Sequence, residues 1–239
     1  MPDFLPATLF ELSPAEWTAI RLSLRIATVA TLASLPFGIL TAYALARCQF
    51  PGKTLVNGIV HLPLVLPPVV TGFVLLMLLG RKGVFGPYLA EIGVVFSFRW
   101  TGAAVACGVM GFPLMVRAMR LSFEAIDRRL ELASETLGAN RIWTFFLVNL
   151  PLAVPGVIVG AILAFAKALG EFGATITFVS NIPGETQTIS AAIYSYTQVP
   201  GGDAAAMRLT IVAVFIAFSA LVASEIIQWR AAKRLGNVE

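Results

Sequence analysis

Charge is scarce in this 239-residue sequence: 13% of its residues are Asp, Glu, Lys or Arg, against about a quarter in soluble domains. A water-soluble helical core needs polar faces, and long stretches of this chain have none. Metal and redox chemistry are as thinly supplied. The one histidine, His61, and the two cysteines, Cys48 and Cys107, have neither zinc-type nor redox spacing. The cysteines read as small apolar fillers, and His61, set between apolar residues ahead of Pro63, as a packing or helix–helix hydrogen-bonding residue. No G-x-x-x-x-G-K-[S/T] phosphate loop occurs, so nucleotide hydrolysis is not expected of this chain. No G-x-S-x-G elbow occurs either, and a single histidine gives Ser–His catalysis little support. The first eighteen residues hold Asp3, Glu11 and Glu16 with no Lys or Arg, unlike a cleaved secretory signal.

What the chain does have is apolar length. It is 58% hydrophobic with a mean hydropathy of +0.85. Charge-free runs cover Ile26–Ala46, Thr54–Gly80, Trp100–Val116, Ile142–Ala166 and Leu209–Ser224. A bilayer core about 30 Å thick takes roughly 20 residues of helix, and lipid-exposed backbone must be paired within its own segment. The expected fold is all-α: one polytopic membrane domain over residues 1–239 with five spans. Thr54–Gly80 is open to two readings, one helix or a broken one. Its "HLPLVLPPVVTGF" reads as a kinked or interrupted helix lining a cavity, and a simple packing kink explains the prolines equally well. Gly102, Ala103, Ala104, Ala106, Gly108 and Gly111 let Trp100–Val116 approach other helices closely. No internal repeat is visible.

Lys and Arg gather on the cytoplasmic side of membrane helices. Arg47 and Lys53 flank the first connection, Arg117, Arg120, Arg128, Arg129 and Arg141 surround the third, and Arg230, Lys233 and Arg234 follow the last span. With five spans these regions share one side. The orientation read from this is an outside N-terminus (residues 1–18), an outside loop over residues 173–207 containing Thr186 and Gln187, and an inside C-terminus. Arg81, Lys82 and Arg99 are exceptions on the outside. The net charge of +4 is thus placed for a membrane and does not point to nucleic acid.

The charges are densest in "RRLELASETLGANRIWTFFLVNLP" (Arg128 to Pro151). Within the segment 127–151, Ile126 just ahead of it, Leu130, Ala133 and Leu137 recur at three- and four-residue steps and form one narrow apolar face. Asp127 can cap the start, Gly138 can supply the left-handed residue after the end, and Asn140 can cap a second helix entering the membrane. So short a helix is marginal alone and is expected to dock on a partner.

These residues resemble the "EAA" loop of ABC importer permeases, E-A-A-x-x-x-G-x(9)-I-x-L-P. Gly138, Leu150 and Pro151 match, Ala133 matches one alanine, and Val148 replaces Ile. Leu132 takes the usual Glu position with Glu131 one residue earlier, and Ser134 replaces the second alanine. The resemblance implies that Leu130, Glu131, Ala133, Ser134, Glu135, Leu137, Gly138, Leu150 and Pro151 couple the chain to an ATPase subunit. "FPGKTLVNGIVHLPLVLPPVVTGF", "FPLMVRAMRLSFEAID" and "LGEFGATITFVSNIPGETQTI" are similar to molybdate permeases. That likeness implies a homodimer, two ATPase subunits carrying ATP and Mg, a periplasmic binding protein, and molybdate or the near-isosteric tungstate as cargo. No cofactor is expected on this chain itself. The rival reading is a stand-alone secondary anion transporter or channel.

One charged pair sits in an apolar span, in "AFAKALGEFGATITF". Lys167 and Glu171 are one helical turn apart. Charges inside a membrane segment face a cavity or each other. A snorkelling or structural pair is one reading. The other is a pathway face in which Lys167 offsets a dianion, Glu171 keeps the site from trapping it, and Thr175, Thr177, Ser180 and Asn181 replace part of its hydration.

Overall fold

The computed structural model describes residues 11–234, with side chains to residue 230. Asp3, Lys233 and Arg234, which help to orient the chain, therefore lie wholly or in their side chains outside the described residues. Helices α1–α11 and no strands occur among the described residues. Four helices are long and apolar enough to cross a membrane: α1 (Pro14–Arg47), α5 (Trp100–Glu124), the run Arg141–Leu169 and α11 (Asp203–Arg234), the last counted to Arg230.

The fifth expected span is broken. α2 (Lys53–Val65) and α3 (Pro68–Leu79) meet at a bend of 116°. The cause is local. Leu66, ahead of Pro67, is extended (φ −71°, ψ 143°), as the proline ring demands of its predecessor, and neither Pro67 nor Pro68 has an amide to continue the ladder. α2 starts beside the end of α5, where Arg120 Nη1 donates to Asn57 Oδ1 at 3.0 Å. α5 starts beside the first half of α1, where the Arg25 guanidinium stacks over Trp100 at 3.8 Å. Counted with the short α4 (Gly86–Glu91) as one broken span, residues 53–99 bring the crossings among the described residues to five.

Lipid tails are as apolar as leucine, so helix association rests on close van der Waals packing. Small residues provide it. A Cβ on Gly156 would overlap Ser122 Cβ, so α8 (Leu150–Leu169) and α5 pack almost backbone to backbone. Gly102, Ala103, Ala104, Ala106 and Gly111 are buried as the composition of α5 suggests. Cys107 is also a buried filler, whereas Cys48, at the end of α1, is exposed and fills nothing.

Residues 173–207 are not an open loop. α9 (Gly173–Val179) and α10 (Ile189–Thr197) bury Ala174, Phe178, Val179, Ile189 and Ala192 in the core. Thr186 is buried and Gln187 half-buried, while Glu185 is exposed. Seven residues of "GATITFV" carry no legible helical period, and their helix exists because α3 covers it. Two ties close the end of the bundle opposite the basic loops. Arg208 of α11 grips both oxygens of the fully buried Glu16 at 2.9 and 3.2 Å. Ser23 Oγ of α1 accepts the Ile189 amide at 2.7 Å.

The α3–α9 contact gives a measurable consequence. A Cβ on Gly72 would collide with Ala174 O and lie 2.8 Å from Ala174 Cα, both backbone atoms. Gly72→Ala is expected to force the two helices apart at ~1–3 kcal/mol, seen as a lower melting temperature of the detergent-purified protein. Gly58→Ala in α2, where nothing lies within 4 Å, is expected to leave the melting temperature unchanged or raise it.

Candidate functional site

At the basic end of the bundle, α6 (Arg128–Thr136) lies as a short strut between α5 and the helix that re-enters the membrane. Its ends are made by local chemistry. Asp127 Oδ1 accepts the Arg129 amide at 2.9 Å. Gly138 takes φ +89°, so its own amide reaches Glu135 O at 3.0 Å and the Ala139 amide reaches Ser134 O at 3.1 Å. This paired closure uses a left-handed residue that an L side chain disfavours. Asn140 Oδ1 then accepts the Trp143 amide at 3.0 Å and starts α7 (Arg141–Thr144).

α7 does not run straight into α8. Residues 145–149 form one wide turn, with the Leu150 amide bonded to Phe145 O, five residues back. Pro151 follows directly and has no amide of its own to give. Leu150 is half-buried, Pro151 exposed, and both serve this entry turn.

The exposed and buried sides of α6 invert the usual arrangement. No residue of α6 is buried. Leu130 is 47% exposed, Leu132 60% and Leu137 88%, and Ile142 and Trp143 continue the apolar surface. Ala133 and Glu135 are exposed or nearly so along the same helix. Only Ile126 of the expected apolar face turns inward, into a core cluster with Phe123 and Met119. Polar residues hold the helix to its own chain. Ser134 Oγ lies 2.8 Å from Thr144 Oγ1, and Glu131 Oε1 lies 3.2 Å from Arg47 Nε. Apolar side chains turned away from their own bundle are what a docking face requires. A cavity of about 440 Å³ opens beside α6 between Arg47, Glu131, Glu135, Arg141, Tyr43 and Thr144. The sequence pattern located α6 and its caps. It missed Arg47, whose link to α6 follows no local spacing.

The second set of nominated residues clusters where α8 passes into α9. Lys167 Nζ and Glu171 Oε2 pair at 2.7 Å, with the lysine side chain 30% exposed and the glutamate 1%. Glu171 also accepts the Ala174 amide at 3.0 Å and so caps the start of α9. Several of the nominated hydroxyls are already engaged. Thr175 is buried and donates to Phe172 O at 2.9 Å, and Thr177 donates to Gly173 O at 2.9 Å. Asn181 Nδ2 donates to Ser195 Oγ at 2.6 Å. Ser180 is exposed at φ +66°, a conformation that a non-glycine residue holds only under tertiary constraint. Lys167 and Ser180 are the members with polar groups to offer a solute. His61 Nδ1 lies 2.9 Å from Asn57 O of its own helix, an intrahelical contact in place of a helix–helix bond. An apolar cavity of about 720 Å³ lies between α1, α2 and α5 beside Phe37, Ile59, Pro63 and Phe112, with little polar lining to hold a dianion.

A five-crossing helical domain that holds a capped, outward-facing amphipathic helix at its basic end has the form of a transporter's membrane subunit. A family described as binding-protein-dependent transport system inner membrane component matches residues 34–235, and the chain belongs to it. Among curated relatives, the molybdenum transport system permease protein ModB of Escherichia coli K12 is 55% identical over 215 residues, 90% of this chain and 94% of that one. The ModB protein of Haemophilus influenzae is 51% identical over 223 residues, 93% and 97% of the two chains. The sulfate transport system permease protein CysT of Salmonella typhimurium is 34% identical over 210 residues, 87% and 76%. Among solved structures, an ABC transporter involved in alginate import superposes with a TM-score of 0.68 at 22% identity, covering 95% of this chain and 82% of that one. The MetNI methionine ABC transporter does so with a TM-score of 0.66 at 17% identity, covering 91% and 94%. At these identities the structures establish the shared fold.

No atom lies within 4 Å of where a Cβ on Gly138 would stand, so the constraint there is conformational. Gly138→Val is expected to cost ~1–2 kcal/mol and loosen the turn, seen as faster hydrogen–deuterium exchange over residues 128–141 with the rest of the bundle unchanged. Gly138→Asn, which tolerates the left-handed region, is expected to exchange close to the wild-type rate.

Proposed function

We propose that this chain is the membrane subunit of an ATP-driven importer that carries molybdate, and the near-isosteric tungstate, across the cytoplasmic membrane. The observation that carries the reading is 55% identity across 90% of the chain to a molybdenum permease, set against 34% to a sulfate permease. Two copies of the chain form the pathway. Each docks one ATPase subunit through α6, whose Leu130, Ala133, Glu135 and Leu137 fit a groove on a partner. A periplasmic binding protein delivers the oxyanion. The chain itself is not the enzyme: ATP and Mg belong to the ATPase subunit, and this chain supplies docking and passage.

In this reading the basic end, with Arg47, Lys53, Arg117, Arg120 and α6, faces the cytoplasm and its anionic lipids. The N-terminus, the Glu16–Arg208 tie and residues 173–207 face the periplasm, with the C-terminus inside. The exposed side of Lys167 and Ser180 lies on the pathway, where a cation and a hydroxyl offset part of the hydration lost by a tetrahedral dianion. Cysteine placed at the exposed Glu185, with Cys48 and Cys107 changed to Ala, is expected to react with an impermeant thiol reagent in intact cells. Reaction only after lysis would invert the orientation.

The function is tested in vesicles holding the chain, its ATPase and the binding protein. ATP-dependent uptake of labelled molybdate is expected, suppressed by excess tungstate and little affected by equal sulfate. Uptake without the ATPase would favour a secondary transporter or channel, and equal competition by sulfate would reject the assigned cargo. In the same assay Lys167→Met leaves Glu171 as an unpaired buried charge and is expected to lower abundance, a loss of ~3–5 kcal/mol for a fully buried partner and less for a pair as open as this one. Lys167→Met combined with Glu171→Gln removes both charges and is expected to restore abundance while uptake stays low. Normal uptake by that double variant would make the pair purely structural.

A further inference from the structure

Arg47 is the last residue of α1, and its side chain is 8% exposed. Its two outward bonds lead to two different places. Nη2 donates to the carbonyl of Ile126, at the junction between α5 and α6, at 2.5 Å. Nε lies 3.2 Å from Glu131 Oε1 on α6 itself. A guanidinium can do this because its donors fork in a fixed plane, whereas an ammonium offers a single point of charge. The Glu131 contact is Coulombic: neither Nε nor Oε1 has a hydrogen-bonding partner of good geometry. A pair of this kind, with Arg47 buried and Glu131 half-buried, can realign when one helix shifts.

Few other polar links tie α6 to its own chain. Ser134 Oγ meets Thr144 Oγ1 at 2.8 Å, which leads only into α7 and the wide turn. Arg47 is the link that leads into α1. That helix has 34 residues, about 50 Å at a rise of 1.5 Å per residue. Its far end is clamped as well. Ser23 Oγ accepts the Ile189 amide of α10, and buried Glu16 is gripped by Arg208 of α11. Between the two ends, small buried residues (Ala27, Ala30, Ala42) seat α1 against its neighbours. α1 is therefore one continuous helix, with Pro36 within it, and it has an ionic clasp at each end, one on the docking helix and one on the helices at the opposite end.

We propose that Arg47 is a positioning residue that couples movement of α6 to α1 and, through α1, to α10 and α11. This rests on the docking role proposed for α6. When a partner displaces α6, the Arg47–Glu131 contact carries part of that displacement along α1, so that one stroke acts on both ends of the bundle. Without the contact α6 still docks, since its apolar side chains point away from Arg47, but its motion dissipates in the turn at residues 145–149.

The test uses the reconstituted complex with ATPase and binding protein, comparing wild type, Arg47→Met, Glu131→Gln and the double variant. The quantities read are ATPase copurified, ATP hydrolysed and molybdate carried per ATP. Arg47→Met is expected to retain the ATPase and to hydrolyse ATP, and molybdate per ATP is expected to fall about fivefold in both single variants, within the range of measured coupling effects. The double variant is expected to be no worse than either single one, because the pair acts as a unit. Arg47→Lys is expected to recover part of the loss by keeping the charge near Glu131. Molybdate per ATP close to wild type in both single variants would overturn the proposal. So would losses that multiply in the double variant, or loss of the ATPase from the Arg47→Met complex. Failure of the wild-type vesicles to take up molybdate would count against the cargo assignment instead, and is distinguishable because ATP hydrolysis is read separately.

Discussion

The structure depends on one constraint: in hydrocarbon, no backbone amide or carbonyl can be left to water. The irregular points of the chain are where that requirement is met by other means. At Leu66–Pro68 the ladder stops and turns by 116°. At residues 145–149 it widens to a five-residue reach just ahead of Pro151. At the start of α9 the Glu171 carboxylate takes over from an absent carbonyl and accepts the Ala174 amide. The first two departures lie partly open, with Pro67, Pro68, Phe146 and Leu147 exposed, whereas the third is buried at Glu171 and Ala174.

The same solvent explains where charge is placed. Three ion pairs with a buried partner sit near helix ends: Glu16 with Arg208, Arg47 with Glu131, and Lys167 with Glu171. Near an end one partner can stay partly hydrated while the other is buried, as the exposures of Lys167 and Glu171 show. Desolvating both would cost several kcal/mol per ion. Placing the pairs at ends also makes them mechanical clasps, since the ends are where one helix must be tied to the next.

α6 shows how little a docking element needs from its own fold. Its caps are complete, its polar ties are few, and its apolar side chains face outward. A helix of nine residues is marginal in water, so Asp127 and Gly138 do for it what packing does for a core helix. An element built in this way can be moved as a body by a partner without unpacking the bundle behind it.

Whatever depends on local spacing was legible in the order of residues. The apolar runs set the spans, and the prolines of "HLPLVLPPVVTGF" marked a break without saying how sharp it is. Asp127 and Gly138 set the ends of α6, and Asn140 the start of α7, because a cap involves residues two to five apart. Meetings between distant residues belong to the tertiary fold. Arg47 meets Ile126 across 79 positions and Glu16 meets Arg208 across 192, and no periodicity encodes such a pairing. Residues 173–207 read as a loop because seven apolar and hydroxyl residues have no helical signature in isolation. Within them α9 packs against α3, where Gly72 leaves room for the Ala174 backbone, and α10 packs against α11 and α1. The Lys167–Glu171 spacing was legible, but only burial shows that the glutamate is turned inward to cap α9 while the lysine stays open, since helical register alone gives no direction to face.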